Sequence, residues 1–285
     1  MNGIGMFGFD EFIKRALEED MGTGDITTNS TVSEDAEISG EYIAKDNGVL
    51  CGTFAVRRVF EIVGGDTKLE FYAKDGDIVK KGEVIGRVSG NARSVLMGER
   101  LGLNLMQHMS GIAMCTKKYV DAVAGTNARI ADTRKSTPGL RVLEKYAVRV
   151  GGGYNHRMNL SDGVLIKDNH IVAAGGIKAA VSAARRNAPH TLKVEVETET
   201  FEQINEALEA GADIIMLDNM CNSDMKKAVD LIGGRALTEA SGNMGDKTPE
   251  QLLEVAQTGV DLISIGALTN SVKAFDISLK FKMKI

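Results

Sequence analysis

The sequence predicts an α/β fold whose C-terminal part is an incomplete α/β barrel, TIM-like but with fewer than eight strands. From residue 128 onward, short apolar runs bounded by turn residues alternate with stretches of helical periodicity. Nearly continuous apolar strands, each followed by a helix, are typical of a parallel sheet that helices cover. No GxGxxG motif follows the first of these strands, which counts against an open dinucleotide-binding sheet. We therefore favour a barrel.

The residues before 128 predict shorter and more mixed elements. We expect residues 91–124 to be helical, with Ser110-Gly111 dividing them into two helices. The other elements expected here are a helix at 9–20, a strand at 38–50, a helix at 55–63 and two short strands on either side of 74–82.

In the C-terminal part, polar, chargeable or glycine residues follow almost every apolar run. The predicted strands are 128–131, 164–166, 192–196, 214–217, 236–238 and 262–265, and the helices between them are 140–150, 177–187, 200–209, 222–231 and 249–258. Active sites of such barrels lie at the carboxyl ends of the strands. The residues at those ends are Asp132, Thr133, Arg134, Lys167, Asp168, Glu195, Glu197, Asp218, Asn219, Glu239, Ser241, Gly242, Asn243 and Gly266. We expect them to form one polar site.

Composition excludes several classes of protein. A net charge of −5 argues against a general nucleic-acid binder. Cys51, Cys115 and Cys221 are far apart and form no CxxC pair, so we expect neither a disulfide framework nor a zinc site, and a cytoplasmic location fits. No apolar run approaches the roughly 20 residues of a membrane span, so no membrane partner is expected.

A local excess of cations stands out in this acidic chain. Within residues 132–170 lie Arg134, Lys135, Arg141, His156, Arg157 and Lys167. Arg and Lys donate charge-assisted hydrogen bonds to carboxylate and phosphate groups. The cluster therefore predicts a pocket for a small, strongly anionic ligand.

Two further patterns refine this prediction. Ser241-Gly242-Asn243 and Gly266 follow the last two strands, where small residues let backbone N–H groups approach a phosphate. Glu197 and Asp218 follow consecutive strands, and they predict either salt-bridge partners of the cations or ligands for a Mg²⁺ ion that also contacts a substrate phosphate.

Residues 74–82 allow a different function. Their sequence, KDGDIVKKG, is similar to the turn of the hammerhead folds that carry biotin or lipoate. Such carriers present a modifiable lysine on a hairpin tip, and no such hairpin is evident here. We favour a compact β-rich subdomain and keep a non-catalytic carrier as the alternative from another class.

Taken together, the motifs resemble those of the quinolinate phosphoribosyltransferases, also called carboxylating nicotinate-nucleotide pyrophosphorylases. The TRKSTPGLR stretch ending at Arg141 and the NHR stretch ending at Arg157 are the most specific. Further matching stretches, in family order, are 16–20 with 24–28, 99–100 with 110–113, 151–157, 165–171, 194–197, 216–219, 239–243 and 266–269.

The resemblance implies a pentosyltransferase reaction. Phosphoribosyl pyrophosphate and quinolinate would give nicotinate mononucleotide, pyrophosphate and CO₂, with Mg²⁺, in de novo NAD biosynthesis. It also implies an N-terminal open α/β sandwich at 1–112, the barrel at 113–270, and a C-terminal segment at 271–285 that returns to the N-terminal domain. A homodimer whose active sites contain residues of both subunits is implied as well. A related paralogue that acts on another anionic substrate is the alternative.

The resemblance also assigns roles to residues. The quinolinate carboxylates would be surrounded by Arg134, His156, Arg157, Lys167 and Arg100 of the partner subunit. Lys135 would approach the same pocket or the pyrophosphate, and Glu197 and Asp218 would face the ribose hydroxyls and Mg²⁺. The 5′-phosphate would be held by Ser241, Gly242, Asn243 and Gly266. The catalytic set would be Lys135, Lys167, Glu197 and Asp218. Family members often have His where Asn270 stands.

Overall fold

The structure, a computed structural model, describes residues 8–282 and divides into two compact units. The first unit contains residues 8–115, 138–151 and 272–282, and the second contains 116–137 and 152–271. The domain boundaries at 112 and 270 stay a prediction, and residues 1–7 and 283–285 of the predicted outer segments lie outside the described residues.

The bounds of the elements are as follows. The helices are α1 (Phe9–Met21), α2 (Ile26–Thr31), α3 (Thr53–Val63), α4 (Ala92–Ala122), α5 (Arg141–Val150), α6 (Asp168–Ala174), α7 (Ile177–Asn187), α8 (Phe201–Glu209), α9 (Asn222–Ile232), α10 (Pro249–Gln257) and α11 (Ala267–Asn270). The strands are β1 (Glu37–Ala44), β2 (Gly48–Val49), β3 (Lys68–Phe71), β4 (Ile78–Val79), β5 (Val84–Asn91), β6 (Arg129–Ala131), β7 (Val164–Ile166), β8 (Val194–Thr198), β9 (Ile214–Asp218), β10 (Leu237–Ser241), β11 (Leu262–Ser264) and β12 (Ile277–Lys282).

The first unit is built on an antiparallel sheet in the order β12-β1-β5-β3. One face of this sheet and helices α3 and α4 contribute to a core that includes Tyr42, Val88, Phe60, Met106 and Phe275. The single strand expected at 38–50 is wrong, because the chain forms β1 and then the separate β2, which pairs with β4. The separate N-terminal sheet with its helices confirms the predicted α/β character of this part.

The turn at 74–82 has a structural role. Asp75 accepts hydrogen bonds from the N–H groups of Gly52 and Thr53 at 3.0 Å each, and from the hydroxyl groups of Thr53 at 2.7 Å and Tyr146 at 2.9 Å. It thereby satisfies backbone donors at the start of α3, which every helix leaves without intrahelical partners. Tyr146 lies on α5, so this turn also explains why α5, expected among the helices that cover the barrel, groups with the first unit.

The predicted division of residues 91–124 into two helices is wrong, because α4 is continuous over 31 residues. Ser110 and Gly111 serve packing instead. The Ser110 hydroxyl accepts from the N–H of Cys51 at 2.9 Å and donates to its carbonyl at 3.1 Å. A Cβ atom at Gly111 would lie 2.4 Å from the carbonyl oxygen of Lys273. Glycine at this position lets another segment approach the helix closely, and tertiary contacts outweigh its low helix propensity.

The second unit confirms the incomplete barrel. Its six parallel strands run in the order β6-β11-β10-β9-β8-β7, so the strands from β7 to β11 pair in chain order and β6, the first, lies beside β11, the last. Among the described residues, β6 and β7 do not pair, and the barrel is open between them. Buried apolar side chains such as Ile130, Val196, Leu217 and Ile263 pack between strands and helices.

Three of the barrel strands continue further toward their carboxyl ends than their apolar runs predict. β8 ends at Thr198 and includes Glu197, β9 ends on Asp218, and β10 ends on Ser241. Helix α6 was not predicted and begins directly after Lys167. Within residues 8–282, no helix combines the length and the apolar composition needed to span a bilayer.

Candidate active site

A cavity of about 690 Å³ lies at the carboxyl ends of the barrel strands, within the second unit. Side chains of consecutive strand positions point to opposite faces, so residues two apart share the inner face. The cavity is lined by such pairs: Leu165 and Lys167, Met216 and Asp218, Glu239 and Ser241, Ser264 and Gly266. Alternation along the strands therefore delivers polar groups from several strands to one place.

Most of the residues predicted from the sequence line this cavity. They are Arg134, Lys135, His156, Arg157, Lys167, Glu197, Asp218, Ser241, Gly242, Asn243 and Gly266, and Asn270 lines it as well. Arg141 begins α5 in the first unit and does not line the described cavity. Arg100 is exposed on α4 in the first unit, and its role at a partner's site stays a prediction.

Two guanidinium groups form the cationic wall. The pKa of Arg157 is lowered by burial and by the charge of Arg134, and the charge of Glu195 opposes this only in part. Arg157 Nη1 donates to the carbonyl of Gly163 at 3.0 Å, while Arg134 Nε is buried without a hydrogen-bond partner. Within residues 8–282, neither arginine has a carboxylate within 4.0 Å, and the same holds for Lys135. The wall thus carries positive charge that the described residues do not pair.

The segment that carries Arg157 is attached to the end of β6. Asp132 is fully buried and accepts from Asn155 Nδ2 at 2.6 Å and from the N–H of His156 at 2.9 Å. The N–H of Asp132 donates to the carbonyl of Tyr154 at 3.0 Å. A buried carboxylate with several donors holds its surroundings tightly, because leaving it unpaired would be costly. The two arginines are therefore held on a common support.

A buried cluster of His156, Glu195 and Glu239 lies at the floor of the site. His156 Nε2 is 3.0 Å from Glu195 Oε2 and 3.8 Å from Glu239 Oε2, while its Nδ1 accepts from the N–H of Arg157 at 2.7 Å. Burial and the charge of Glu195 raise the pKa of Glu239 to about 7. One nitrogen of His156 and one oxygen of each glutamate lie within 4.8 Å of one another, close enough to hold a cation.

Glu195 and Glu239 stand at strand ends in the sequence, which predicts no role for either. The signal was present in the VEVE run of β8, where Glu195 precedes Glu197 by two positions and must share its inner face. The same spacing places Glu239 two positions before Ser241 on β10, so each buried glutamate shares the inner face of its strand with a residue that lines the cavity.

The acidic wall lies on β8 and β9. Lys167 Nζ pairs with Glu197 Oε2, and Asn219 Nδ2 donates to Asp218 Oδ2 at 2.7 Å. Burial and the charge of Glu197 raise the pKa of Asp218, although Lys167 counters them. The two carboxylates therefore repel each other, and a cation between them would relieve that repulsion.

The loop after β10 requires glycine at one position. Gly242 has φ +91°, and a Cβ atom there would lie 2.2 Å from Asn219 Oδ1. Asn243 also has a positive φ of 51°, and the 3₁₀ helix Met244–Asp246 follows. A tight turn of small residues leaves its backbone N–H groups accessible, as anion-binding loops do.

Gly266 makes room for Lys135. Its φ of −66° is ordinary, but a Cβ atom would lie 3.0 Å from Lys135 Cδ. The backbone of Lys135 is held at both ends, because its N–H donates to Thr133 Oγ1 at 3.0 Å and its carbonyl accepts from Thr269 Oγ1 at 2.7 Å. Lys135 therefore extends over the loop after β11 and lines the cavity.

The chain is similar to known proteins over most of its length. The chain is 46% identical over 261 residues to a probable nicotinate-nucleotide pyrophosphorylase [carboxylating] of Bacillus subtilis, covering 92% of this chain and 89% of that protein. It is 47% identical over 292 residues to the chloroplastic nicotinate-nucleotide pyrophosphorylase [carboxylating] of Arabidopsis thaliana, covering 96% and 82%.

Several solved structures are also similar to this chain. NadC from Streptococcus pyogenes superposes with a TM-score of 0.93 at 41% identity, covering 99% of each chain. The nicotinate-nucleotide pyrophosphorylase of Pyrococcus furiosus, at 14% identity and a TM-score of 0.70, shares the fold. The profiles of the quinolinate phosphoribosyl transferase N-terminal and C-terminal domains match residues 25–110 and 112–280. The chain belongs to the quinolinate phosphoribosyl transferase family.

Proposed function

We propose that this chain transfers the phosphoribosyl group of phosphoribosyl pyrophosphate to quinolinate and releases pyrophosphate and CO₂, giving nicotinate mononucleotide for de novo NAD biosynthesis. The observation that carries the proposal is the pair Arg134 and Arg157. They repel each other and have no carboxylate within 4.0 Å in the described part of the chain. A dianion placed between them would relieve that repulsion, and quinolinate has two adjacent carboxylates.

The cationic wall suits the pyridine substrate. Guanidinium groups bind carboxylates with two parallel hydrogen bonds, and Lys167 and Lys135 add charge on the same cavity. The pyridine nitrogen carries no proton, so its attack on the ribose needs no general base. The task of these side chains is to hold the ring nitrogen near the anomeric carbon, where orientation contributes much of the acceleration.

The acidic wall and the glycine-rich loops suit the activated sugar. Glu197 and Asp218 would accept from the ribose hydroxyls and hold Mg²⁺, directly or through water. Their mutual repulsion, evident in the raised pKa of Asp218, fits a site for a divalent cation. When bound, Mg²⁺ would neutralise charge on the pyrophosphate. The backbone at Gly242, Asn243 and Gly266 would bind the 5′-phosphate.

Decarboxylation needs no further group from the protein. Once the ring nitrogen bears the ribose, it is positively charged and stabilises the electron pair that the departing CO₂ leaves on the adjacent carbon, and that carbon then takes a proton from water. The arginines release one carboxylate and retain the other. The contribution of this chain is therefore electrostatic, which is the largest effect in many enzymes.

We also propose that the chain forms a homodimer whose active sites contain residues of both subunits. We expect this dimer to be located in the cytoplasm. Helix α6 has no buried residue, and Val172 on it is 83% exposed, which favours an interface on this part of the second unit. Arg100 of the partner subunit would then complete the carboxylate site.

The direct test is product formation. Purified protein with Mg²⁺, phosphoribosyl pyrophosphate and carboxyl-labelled quinolinate should release labelled CO₂. It should form one molecule of nicotinate mononucleotide for each molecule of CO₂. Lys135→Met should abolish both products, and Arg186→Ala, at an exposed position on α7, should change neither. If products form only when quinolinate is replaced by another anionic ring compound, the chain is the related paralogue that acts on a different anionic substrate. Covalent biotin or lipoate detected by mass spectrometry, without product, would favour the carrier alternative.

A further inference from the structure

The charge and the partners of His156 follow from two distances. The N–H of Arg157 lies 2.7 Å from His156 Nδ1, and a backbone N–H can only donate. His156 Nδ1 must therefore accept, and the ring proton must be on Nε2. His156 Nε2 is 3.0 Å from Glu195 Oε2, so this N–H donates to the carboxylate.

Both ring nitrogens are thus occupied within the protein. An imidazolium would place a second proton on Nδ1, facing the N–H of Arg157 at 2.7 Å, and two donors at that distance repel each other. The side chain of His156 is also only 14% exposed. His156 reaches the cavity surface but has no free nitrogen with which to bind an anion.

We propose that His156 and Glu195 are positioning residues: neutral His156 bridges the buried Glu195 carboxylate to the main chain of Arg157 and so fixes the Arg157 guanidinium beside Arg134. This rests on the proposed function, since it concerns how the carboxylate site is built. It replaces the expectation that His156 itself contacts the quinolinate carboxylates.

The surroundings favour this bridge. Glu195 is 4% exposed, and its charge favours the charged form of Arg157, which burial and Arg134 disfavour. The repulsion between the two arginines opposes their proximity, and the bridge adds a second attachment to the one that Asp132 gives the Arg157 segment. Glu239, 1% exposed, lies 3.8 Å from the same Nε2 and supports donation in that direction.

A cation held by His156, Glu195 and Glu239 is the competing arrangement, because their ligand atoms are close enough. It would add positive charge beside Arg157, whose charged form burial and Arg134 already disfavour. It would also require His156 Nε2 to lose the proton that the 3.0 Å contact with Glu195 indicates. The bridge is therefore the arrangement that the distances and charges favour together.

Nitrogen-15 NMR of histidine-labelled protein tests the tautomer without any substrate. The chain has 4 histidines, and the signals of His156 are assigned by their loss in His156→Gln. Near neutral pH, with a chelator present, we expect a protonated Nε2 and an unprotonated Nδ1. Protonation of both nitrogens, or of Nδ1 alone, would overturn the proposal, as would loss of the Nε2 proton at stoichiometric Zn²⁺ or Mn²⁺.

Two variants then test the bridge in binding. Glu195→Gln keeps an oxygen that can accept from Nε2, so the Kd for quinolinate should stay within about threefold of wild type. Glu195→Leu removes the acceptor and should raise the Kd about tenfold or more. The KM for phosphoribosyl pyrophosphate should change in neither. Equal effects of Gln and Leu, or no effect of either, would contradict the bridge.

The two proposals fail separately. If wild-type protein binds no quinolinate, the proposed function fails, while the NMR result still decides the tautomer. Glu202→Gln, an exposed carboxylate on α8, is the matched control and should leave both readouts unchanged. If Glu195→Leu does not fold, the NMR measurement and the Gln variant still decide the question.

Discussion

Arg134 and Arg157 are held at an energetic cost that binding of an anion would remove. Burial and mutual repulsion lower the pKa of Arg157, and Arg134 Nε is buried without a partner. An anion bound between the two guanidinium groups would remove both costs, which would favour a dianion over a neutral ligand. Buried polar groups without partners are rare in folded proteins and often mark function.

Removal of either arginine should abolish tight quinolinate binding. We expect Arg134→Ala and Arg157→Ala each to weaken binding by about 2–5 kcal/mol, because a carboxylate is then left without its charged partner. Calorimetry measures the affinity, and circular dichroism checks that the fold is intact. Arg186→Ala is the control, at an exposed arginine of the same unit. Unchanged quinolinate affinity in both cavity variants would remove these residues from the site.

Glu239 should make stability depend on pH. Its pKa is about 7 in the folded chain and near 4.5 when unfolded, so the folded state binds more protons between these values. The stabilisation is full below pH 4.5 and is lost as pH rises through 7. Between pH 4.5 and 7.5, the unfolding free energy of Glu239→Gln should therefore gain on the order of 1–3 kcal/mol relative to wild type.

Urea unfolding at several pH values measures this difference in unfolding free energy. The contributions of the other carboxylates are nearly the same in both proteins and largely cancel. Glu202→Gln, at an exposed carboxylate, should follow the wild-type curve. A constant difference between Glu239→Gln and wild type across the window would mean that Glu239 titrates normally in the folded protein.

At the scale of elements, hydrophobic periodicity predicted the barrel. Local residue types gave wrong predictions at the carboxyl ends of the strands and at Ser110-Gly111. The apolar runs located all six barrel strands, because buried parallel strands are continuous in hydrophobicity. Their polar carboxyl ends, including Asp218 and Ser241, were assigned to loops, since hydrophobicity alone does not show where a ladder of hydrogen bonds stops. The cavity residues followed from the rule that sites lie at those ends.

The rest depended on contacts between segments distant in sequence. Ser110-Gly111 has the composition of a helix break, yet it is explained by Cys51 and Lys273, which are distant in the chain. The bridge from Glu195 to Arg157 likewise joins a strand to a loop, and only coordinates reveal which nitrogen of His156 meets which partner. Spacing predicted which residues share the site but not how they are paired.

Two glycines of α4 should respond oppositely to alanine. Gly111→Ala places a Cβ atom 2.4 Å from the Lys273 carbonyl oxygen and should destabilise the fold by about 1–3 kcal/mol despite better helix propensity. Gly102→Ala meets Val56 at an ordinary 3.4 Å and should be neutral or stabilise by up to about 1 kcal/mol. Urea denaturation compares the two, and equal effects would show that packing at Gly111 is looser than described.

At the scale of the whole molecule, a chain of net charge −5 places Arg134, Lys135 and Arg157 together at one cavity. Acidic surroundings elsewhere make the cavity the favoured place for small anions, and charge of one sign focused in a cleft raises the local concentration of such ligands. The proposed homodimer would add Arg100 of the partner subunit to that charge.

Shared sites predict complementation between inactive chains. Arg100→Ala and Lys167→Ala homodimers should each be inactive, whereas refolded mixtures should recover activity, because some mixed dimers contain one site without either change. Recovery should reach about a quarter of wild type at equal amounts if the dimers form at random. A mixture that shows mixed dimers by mass spectrometry but no recovered activity would refute the sharing of Arg100.

The most direct test of the central claim, that this cavity recognises two adjacent carboxylates, compares quinolinate with nicotinate by calorimetry. Nicotinate lacks the carboxylate that leaves, so the arginine wall pairs with one group instead of two. We predict that quinolinate binds at least about 100-fold more tightly, corresponding to about 2.7 kcal/mol. Equal affinities for the two ligands would contradict the assignment of Arg134 and Arg157 to the second carboxylate.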